Sequence, residues 1–194
     1  MNTACEDVLS LQRDHGMYIS VNASVRQLIG GGFAEWVEAV LESTGLRPSA
    51  LMVEVTESAL MDDIGLIRTA FERLRSLGVK LAIDDFGTGY SSLARLQHLP
   101  VDVIKLDRAF VTDVDVRAEA RGMAVAILQL SAAIGAGTVA EGVETEAEAA
   151  TLIDLGYTAG QGYLFARAMP LEDLTARLCA EAADSRSPRA CATG

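Results

Sequence analysis

The sequence VKLAIDDFGTGYSS, residues 79–92, decides the fold more than any other stretch of the chain. It opens with Val79 to Ile83, a short and mostly apolar run of the kind that forms a strand buried on both faces. Two carboxylates, Asp84 and Asp85, follow directly, and the chain then enters a loop with two glycines. A buried strand that ends in acidic residues predicts a functional site at the carboxyl edge of a parallel sheet.

The same arrangement recurs along the chain, because short apolar runs alternate with helical patterns at roughly 30 residues per unit. The predicted strands are Met17–Val21, Leu51–Val55, Val79–Ile83, Val103–Leu106, Thr138–Ala140 and, with a weaker pattern, Tyr163–Phe165. The predicted helices include Phe33–Ser43, Leu66–Leu77 and Ala118–Ile134, and each is closely followed by a glycine. The alternation predicts a parallel sheet covered by helices.

Polar residues at the strand ends favour a barrel over an open sheet. They are Asn22, Glu54, Glu57, Asp84, Asp85, Lys105, Asp107, Glu141, Glu144 and Gln161. In a (β/α)₈ barrel the strand ends converge on one mouth, whereas an open doubly wound sheet places its site at one switch point. We therefore predict an α/β fold of the TIM type. Six strands are visible in the sequence where a barrel has eight, so we expect an incomplete barrel with about the first two strands missing.

Composition limits the class of function. The net charge of −11 argues against a protein that binds DNA or RNA polymers along their phosphates. The three cysteines lie near the chain ends without a CxxC spacing, which predicts reduced thiols and a cytoplasmic location. No export signal is predicted. We expect residues 1–178 to form the domain and residues 179–194 to form a flexible tail.

The uncharged stretch Gly122–Ala140 is the one segment that resembles a membrane span. Gly135 and Gly137 interrupt it, and polar residues precede them, so we interpret it as a buried Ala-rich helix followed by a short strand. No membrane segment is therefore predicted.

The strand-end oxygens suggest a metal site, because carboxylate and amide oxygens are the ligands that Mg²⁺ and Mn²⁺ prefer. Two such ions suit phosphodiester hydrolysis. Simpler interpretations stay open at this point. Asp84 and Asp85 could cap a helix or form a turn, Glu54 could form a salt bridge at the rim, and Lys105 could form a buried ion pair with Asp107 or Asp85.

Six motifs make the interpretation more specific. They are VNAS at 21–24, EVTE at 54–57, DDFGTGYSS at 84–92, KLD at 105–107, AEGVE at 140–144 and QGY at 161–163. In this order they resemble the motifs of the EAL-domain family of cyclic di-GMP phosphodiesterases. The resemblance extends over about residues 4–178, and it implies a TIM-type barrel that uses two Mg²⁺ or Mn²⁺ ions to open cyclic di-GMP to the linear dinucleotide.

The resemblance also implies a role for each motif residue. Asn22, Glu54, Asp84 and Asp85 would bind the metals, Lys105, Glu141 and Glu57 would be catalytic, Glu144 and Gln161 would bind substrate, and Phe86, Gly87, Thr88, Gly89, Tyr90, Ser91 and Ser92 would form a lid loop. Lys105 would steady the hydrolytic water, and Glu57 would hold the loop. Upstream sensor or GGDEF domains and a homodimer stay open.

One departure from the family affects the expected activity, since no Glu-Ala-Leu triplet occurs in the sequence. The family's glutamate in that triplet is a metal ligand, so we expect this chain to be weakly active or inactive. The alternatives are an EAL-like module that binds cyclic di-GMP or a protein partner without cleavage, and an enolase-like barrel with Lys105 as the base.

Overall fold

The structure is a computed structural model that describes residues 1–58, 64–89 and 96–185. The strands are β1 Ile19–Asn22, β2 Leu51–Thr56, β3 Lys80–Phe86, β4 Val103–Leu106, β5 Gly137–Glu141 and β6 Gly160–Gln161. The helices are α1 Asn2–His15, α2 Val25–Ile29, α3 Phe33–Thr44, α4 Ile64–Ser76, α5 Arg108–Val111, α6 Ala118–Ile134, α7 Glu146–Leu155 and α8 Leu171–Ser185, with a 3₁₀ turn at Pro48–Ala50.

The six strands form one parallel sheet in the order β1-β2-β3-β4-β5-β6. Since parallel crossovers are right-handed, a sheet that always advances in the same direction carries its helices on one face. The other face is then shielded by curling inward, as in a TIM barrel, and a doubly wound sheet would instead reverse its order. The predicted fold, a partial (β/α)₈ barrel, is confirmed.

The core lies between the strands and the surrounding helices. Strand β2 is buried on both faces from Leu51 to Val55, as its continuous apolar run predicts. Helix α4 covers the sheet with Ile67, Phe71 and Leu74, which lie on one helical face and are fully buried. This packing holds the strand ends in fixed relative positions.

The predicted sixth strand is corrected by the structure. Tyr163 to Phe165 does not pair with β5, and the strand is Gly160–Gln161 instead. The chain turns at Gly162, whose carbonyl accepts hydrogen bonds from the Phe165 and Ala166 amides. Tyr163 and Phe165 are about half exposed, so their high strand propensity is overruled by this turn.

Helix α8 continues to Ser185, seven residues beyond the predicted domain boundary at residue 178, and that boundary stays a prediction. Ala-rich sequence favours a helix here, and the Arg177 guanidinium bonds the Glu181 carboxylate one turn later at 2.8 Å. The rest of the predicted tail, residues 186–194, lies outside the described residues.

The stretch Gly122–Ala140 divides between α6 and β5, as predicted. Among the helices that the structure describes, none has the length and apolar character needed to cross a bilayer.

Candidate active site

Each strand of the sheet contributes a polar residue near its carboxyl end. These residues are Asn22 on β1, Glu54 on β2, Asp84 on β3, Lys105 on β4, Glu141 on β5 and Gln161 on β6. The strand register places Asn22 beside Glu54 and Glu141 beside Gln161. The structure therefore brings the predicted strand-end residues to one edge of the curled sheet, where a barrel carries its active site.

Lys105 is the centre of this edge. Its Nζ donates to Glu54 Oε2 at 2.9 Å, to Asp84 Oδ1 at 2.9 Å and to Glu141 Oε1 at 2.5 Å. The lysine is 5% exposed, so the three carboxylates balance a buried charge. The open alternative of a buried ion pair thus holds in kind, but its partners are not Asp107 or Asp85. On the neighbouring strand β3 the carboxylate in contact is that of Asp84, whereas Asp85 has a left-handed backbone.

The contacts of Lys105 decide its protonation state. Burial alone would lower the pKa of Lys105, but hydrogen bonds to Glu141, Asp84 and Glu54 outweigh burial and raise the pKa above its usual value. The side chain is therefore an ammonium ion that donates hydrogen bonds.

A bulge in β3 places two adjacent carboxylates at the same edge. Ile83 pairs with Ile104 and Phe86 pairs with Leu106, so β3 has one residue more than β4 across this interval. Asp85 takes up the extra length with a φ of 54°, in the left-handed region. Since Asp84 and Asp85 lie within β3, they are not a helix cap.

Asp84, Asp85 and Glu141 together offer a set of oxygen ligands. One carboxylate oxygen from each lies within 4.8 Å of those of the other two. Burial and then the neighbouring carboxylates of Asp84 and Asp107 raise the pKa of Asp85, so a cation would relieve this repulsion. These oxygen donors fit Mg²⁺ or Mn²⁺. The Glu54 carboxylate lies close to them, because Lys105 contacts both Glu54 and Asp84.

Glu141 differs electrostatically from an ordinary surface glutamate. Burial raises its pKa to about 7, a shift that Asp84 reinforces and Lys105 opposes. Gln161 Nε2 donates to Glu141 Oε1 at 2.6 Å and so fixes the orientation of the carboxylate. The structure brings these two predicted site residues together.

Glu57 lies just beyond β2 and binds the beginning of the predicted lid loop. Its Oε2 accepts from the Gly87 amide at 2.8 Å and from the Gly89 amide at 3.0 Å. Gly87 has a φ of 106°, and a β-carbon there would collide with Phe110, so this close turn requires glycine. Tyr90, Ser91 and Ser92 of the predicted loop lie outside the described residues.

Glu144 is placed by two residues to which the sequence analysis assigned no role. Arg108 Nη2 bonds Glu144 Oε1 at 2.8 Å, and the buried Glu148 accepts from the Glu144 amide at 2.9 Å. Glu148 also accepts from the amides of Thr145 at 3.0 Å and Asp113 at 3.1 Å. A capping-box spacing, Thr145 to Glu148, was the available sequence signal for the second residue.

The family of this chain follows from its sequence matches. Residues 1–168 match the EAL domain. The chain belongs to the EAL domain family. The cyclic di-GMP phosphodiesterase NbdA of Pseudomonas aeruginosa is 40% identical over 190 residues, which cover 97% of this chain and 24% of NbdA. The chain thus spans about a fifth to two fifths of the length of the curated relatives it matches.

Solved EAL structures agree with the fold. The MucR phosphodiesterase of Pseudomonas aeruginosa, in complex with cyclic di-GMP, matches with a TM-score of 0.84 and 39% identity, covering 89% of this chain and 71% of that chain. The BlrP1 complex of Klebsiella pneumoniae with manganese and cyclic di-GMP matches with a TM-score of 0.78 and 31% identity, covering 86% of this chain and 42% of that chain. Members of this family thus bind a divalent metal and cyclic di-GMP.

Proposed function

We propose that this EAL domain binds cyclic di-GMP with two divalent cations, Mg²⁺ or Mn²⁺, and hydrolyses it to the linear dinucleotide. The observation that carries the proposal is the cluster of Asp84, Asp85 and Glu141 carboxylates at the carboxyl edge of the sheet, two of which, Asp84 and Glu141, also contact the Lys105 ammonium. The cyclic di-GMP complex of MucR, 39% identical, supports the choice of substrate. We expect the reaction to take place in the cytoplasm.

The metals would be held by Asn22, Glu54, Asp84 and Asp85, and when bound they would supply an activated water and stabilise the charge on the phosphate oxygens. Lys105 would donate a hydrogen bond to the attacking water once the metals engage some of the carboxylates that it contacts in this structure. Glu141, with a pKa of about 7, would accept a proton from that water or bind the second metal.

The remaining predicted residues would orient the substrate. Gln161 donates a hydrogen bond to the Glu141 carboxylate, and Glu144 lies three residues after Glu141 in the chain. Glu57 holds the first amides of the loop after β3, which would let the loop cover the bound dinucleotide. We propose that these groups bind substrate and shape the mouth.

A second candidate function is binding of cyclic di-GMP without cleavage. The specific observation in its favour is that the 194 residues contain no Glu-Ala-Leu triplet, the family segment that supplies a further carboxylate. With one ligand fewer we expect slow turnover by a polypeptide of these residues alone. The first proposal therefore predicts metal-dependent binding together with slow turnover, whereas the second predicts binding without turnover.

Turnover in the Asp84→Asn variant tests the proposal. We expect the wild-type chain to form the linear dinucleotide slowly in Mn²⁺, measured by chromatography, and the variant to form none. The substitution removes a negative charge that contacts Lys105 and belongs to the proposed set of metal ligands. Asp154→Asn, an exposed change on α7, serves as the control with unchanged turnover. Equal turnover in wild type and Asp84→Asn would refute the metal assignment, and tight binding without any product would favour the second candidate.

A further inference from the structure

Arg108, the first residue of α5, contacts the segment Glu141–Glu144 through both parts of its side chain. Its guanidinium bonds Glu144 at 2.8 Å. Its aliphatic stem lies over Gly142, where a β-carbon would approach the Arg108 Cγ to 2.5 Å. Gly142 has a φ of 70°, so the segment turns directly beneath the arginine. One side chain therefore covers the turn and fixes the carboxylate at its end.

The backbone at Arg108 is held by the cap of α5. Asp107 precedes it as the N-cap of α5, and its Oδ1 accepts from the Ala109 amide at 2.7 Å. The Glu148 carboxylate accepts a hydrogen bond from the Glu144 backbone amide. Glu144 is thus held at its backbone by Glu148 and at its side chain by Arg108.

The exposure of this ion pair suggests that it matters more for ligand binding than for the stability of the fold. The side chains of Arg108 and Glu144 are 58% and 39% exposed. An ion pair so exposed contributes little to the stability of the fold. Fixing one rotamer of a group that contacts a ligand, in contrast, lowers the entropy that is lost on binding.

The net charge of the chain also favours a role for this ion pair in ligand binding. The chain has a net charge of −11, and cyclic di-GMP carries two phosphates, so an uncompensated Glu144 at the mouth would repel the ligand. Lys105 is already balanced by three carboxylates. The Arg108 guanidinium therefore offsets the negative charge of Glu144.

We propose that Arg108 is a positioning residue that orients the Glu144 carboxylate for contact with the bound cyclic dinucleotide. This role rests on the proposed function, since it deepens the description of the same site. Arg108 acts through Glu144, and it raises affinity for the dinucleotide without taking part in metal binding.

Cyclic di-GMP titrations in Mn²⁺ test this role in four forms of the chain: wild type, Arg108→Ala, Glu144→Gln and the double variant. We expect Arg108→Ala to weaken binding by up to about tenfold, the cost of immobilising one flexible side chain on binding. The double variant should bind no more weakly than Glu144→Gln, because residues that act through one another show non-additive effects. The rise in melting temperature on adding Mn²⁺ should stay at its wild-type value.

Arg177→Ala is the matched control, because Arg177 also forms an exposed ion pair at 2.8 Å, but on α8. Its affinity for the dinucleotide should equal that of wild type. Unchanged binding in Arg108→Ala, or additive losses in the double variant, would overturn the positioning role alone. Absence of binding in the wild-type chain would overturn the proposed function and this role with it.

Discussion

Lys105 shows at the scale of one residue how the candidate site balances its charges. Its buried ammonium stands among the carboxylates of Glu54, Asp84 and Glu141. Desolvating these groups is costly, and only their mutual contacts offset the cost. The same contacts keep Lys105 protonated, so its chemistry is that of a hydrogen-bond donor.

Lys105→Met removes this charge while keeping most of the side-chain volume. We expect the free energy of unfolding to fall by about 3–5 kcal/mol, the loss found when one partner of a buried ion pair is removed. Mn²⁺ should raise the melting temperature of the variant more than that of wild type, because the cation compensates carboxylates that have lost their ammonium. Denaturant and thermal unfolding with and without Mn²⁺ measure both effects.

Lys80→Met is the matched control, since Lys80 forms a 3.0 Å salt bridge with Asp102 but is 49% exposed. An exposed pair is worth about 0–1 kcal/mol, so this change should be mild. A loss in Lys105→Met no larger than in Lys80→Met would show that the charges of the site are not coupled as described.

At the scale of the element, Glu148 joins two loops of the mouth. It is the third residue of α7, and its carboxylate accepts hydrogen bonds from the amides of Glu144, Thr145 and Asp113. Burial alone would raise the pKa of Glu148, but these backbone hydrogen bonds outweigh burial and lower it. The loop after β5 is therefore fixed to the loop after α5 by one ionised carboxylate.

Glu148→Gln should lower the free energy of unfolding at pH 7 by about 2 kcal/mol, the size of a hydrogen bond to a charged group. The pKa of Glu148 is depressed in the folded state, so the stabilisation is fully present above the unfolded value near 4.3 and is lost as the pH falls through the folded value. The difference between variant and wild type should thus shrink from pH 7 toward pH 3, measured by thermal unfolding. A difference that is constant over this range would contradict the role of the ionised carboxylate.

The strands show what the sequence could predict and what it could not. Buried apolar runs such as Leu51–Val55, each followed by polar residues, were sufficient for the barrel and for its mouth. The last strand was misplaced because the propensity of Tyr163 and Phe165 is local, whereas the register of Gly160 is decided by its pairing with Ala140 on β5. Propensity cannot show which residue finds a partner.

The residue types of the site could be predicted from the sequence, but their contact partners could not. The residue types at the strand ends pointed to oxygen ligands and to a lysine that needs a partner. The identity of that partner depends on the bulge in β3 and on the curl of the sheet, neither of which a spacing in sequence reveals. Arg108 was missed because a lone arginine after a strand is usually a surface residue, and only its contact with Glu144 distinguishes it.

At the scale of the whole molecule, the described sheet is curled but not closed. In the part of the chain that the structure describes, β1 pairs only with β2, and β6 pairs only with β5. Open edges offer free amides and carbonyls to other chains, and they flank the interior face of the barrel. The net charge of −11 opposes association only at long range.

We therefore expect a polypeptide of these 194 residues to self-associate at micromolar concentration, with the tendency rising in high salt as charge repulsion is screened. Size-exclusion chromatography with light scattering measures the molar mass at low and high salt. A monodisperse monomer under both conditions would show that the open edges are protected in a way that the described residues do not reveal.

The central claim is that Asp84, Asp85, Glu141 and their neighbours form a metal-dependent site for cyclic di-GMP. Calorimetric titration of cyclic di-GMP into the chain, once in Mn²⁺ and once in EDTA, tests it most directly. We predict saturable binding of one dinucleotide per chain in Mn²⁺ and at least about tenfold weaker binding in EDTA, since phosphates cannot approach these carboxylates without cations. Equal affinity in Mn²⁺ and EDTA, or no binding in either, would contradict the account.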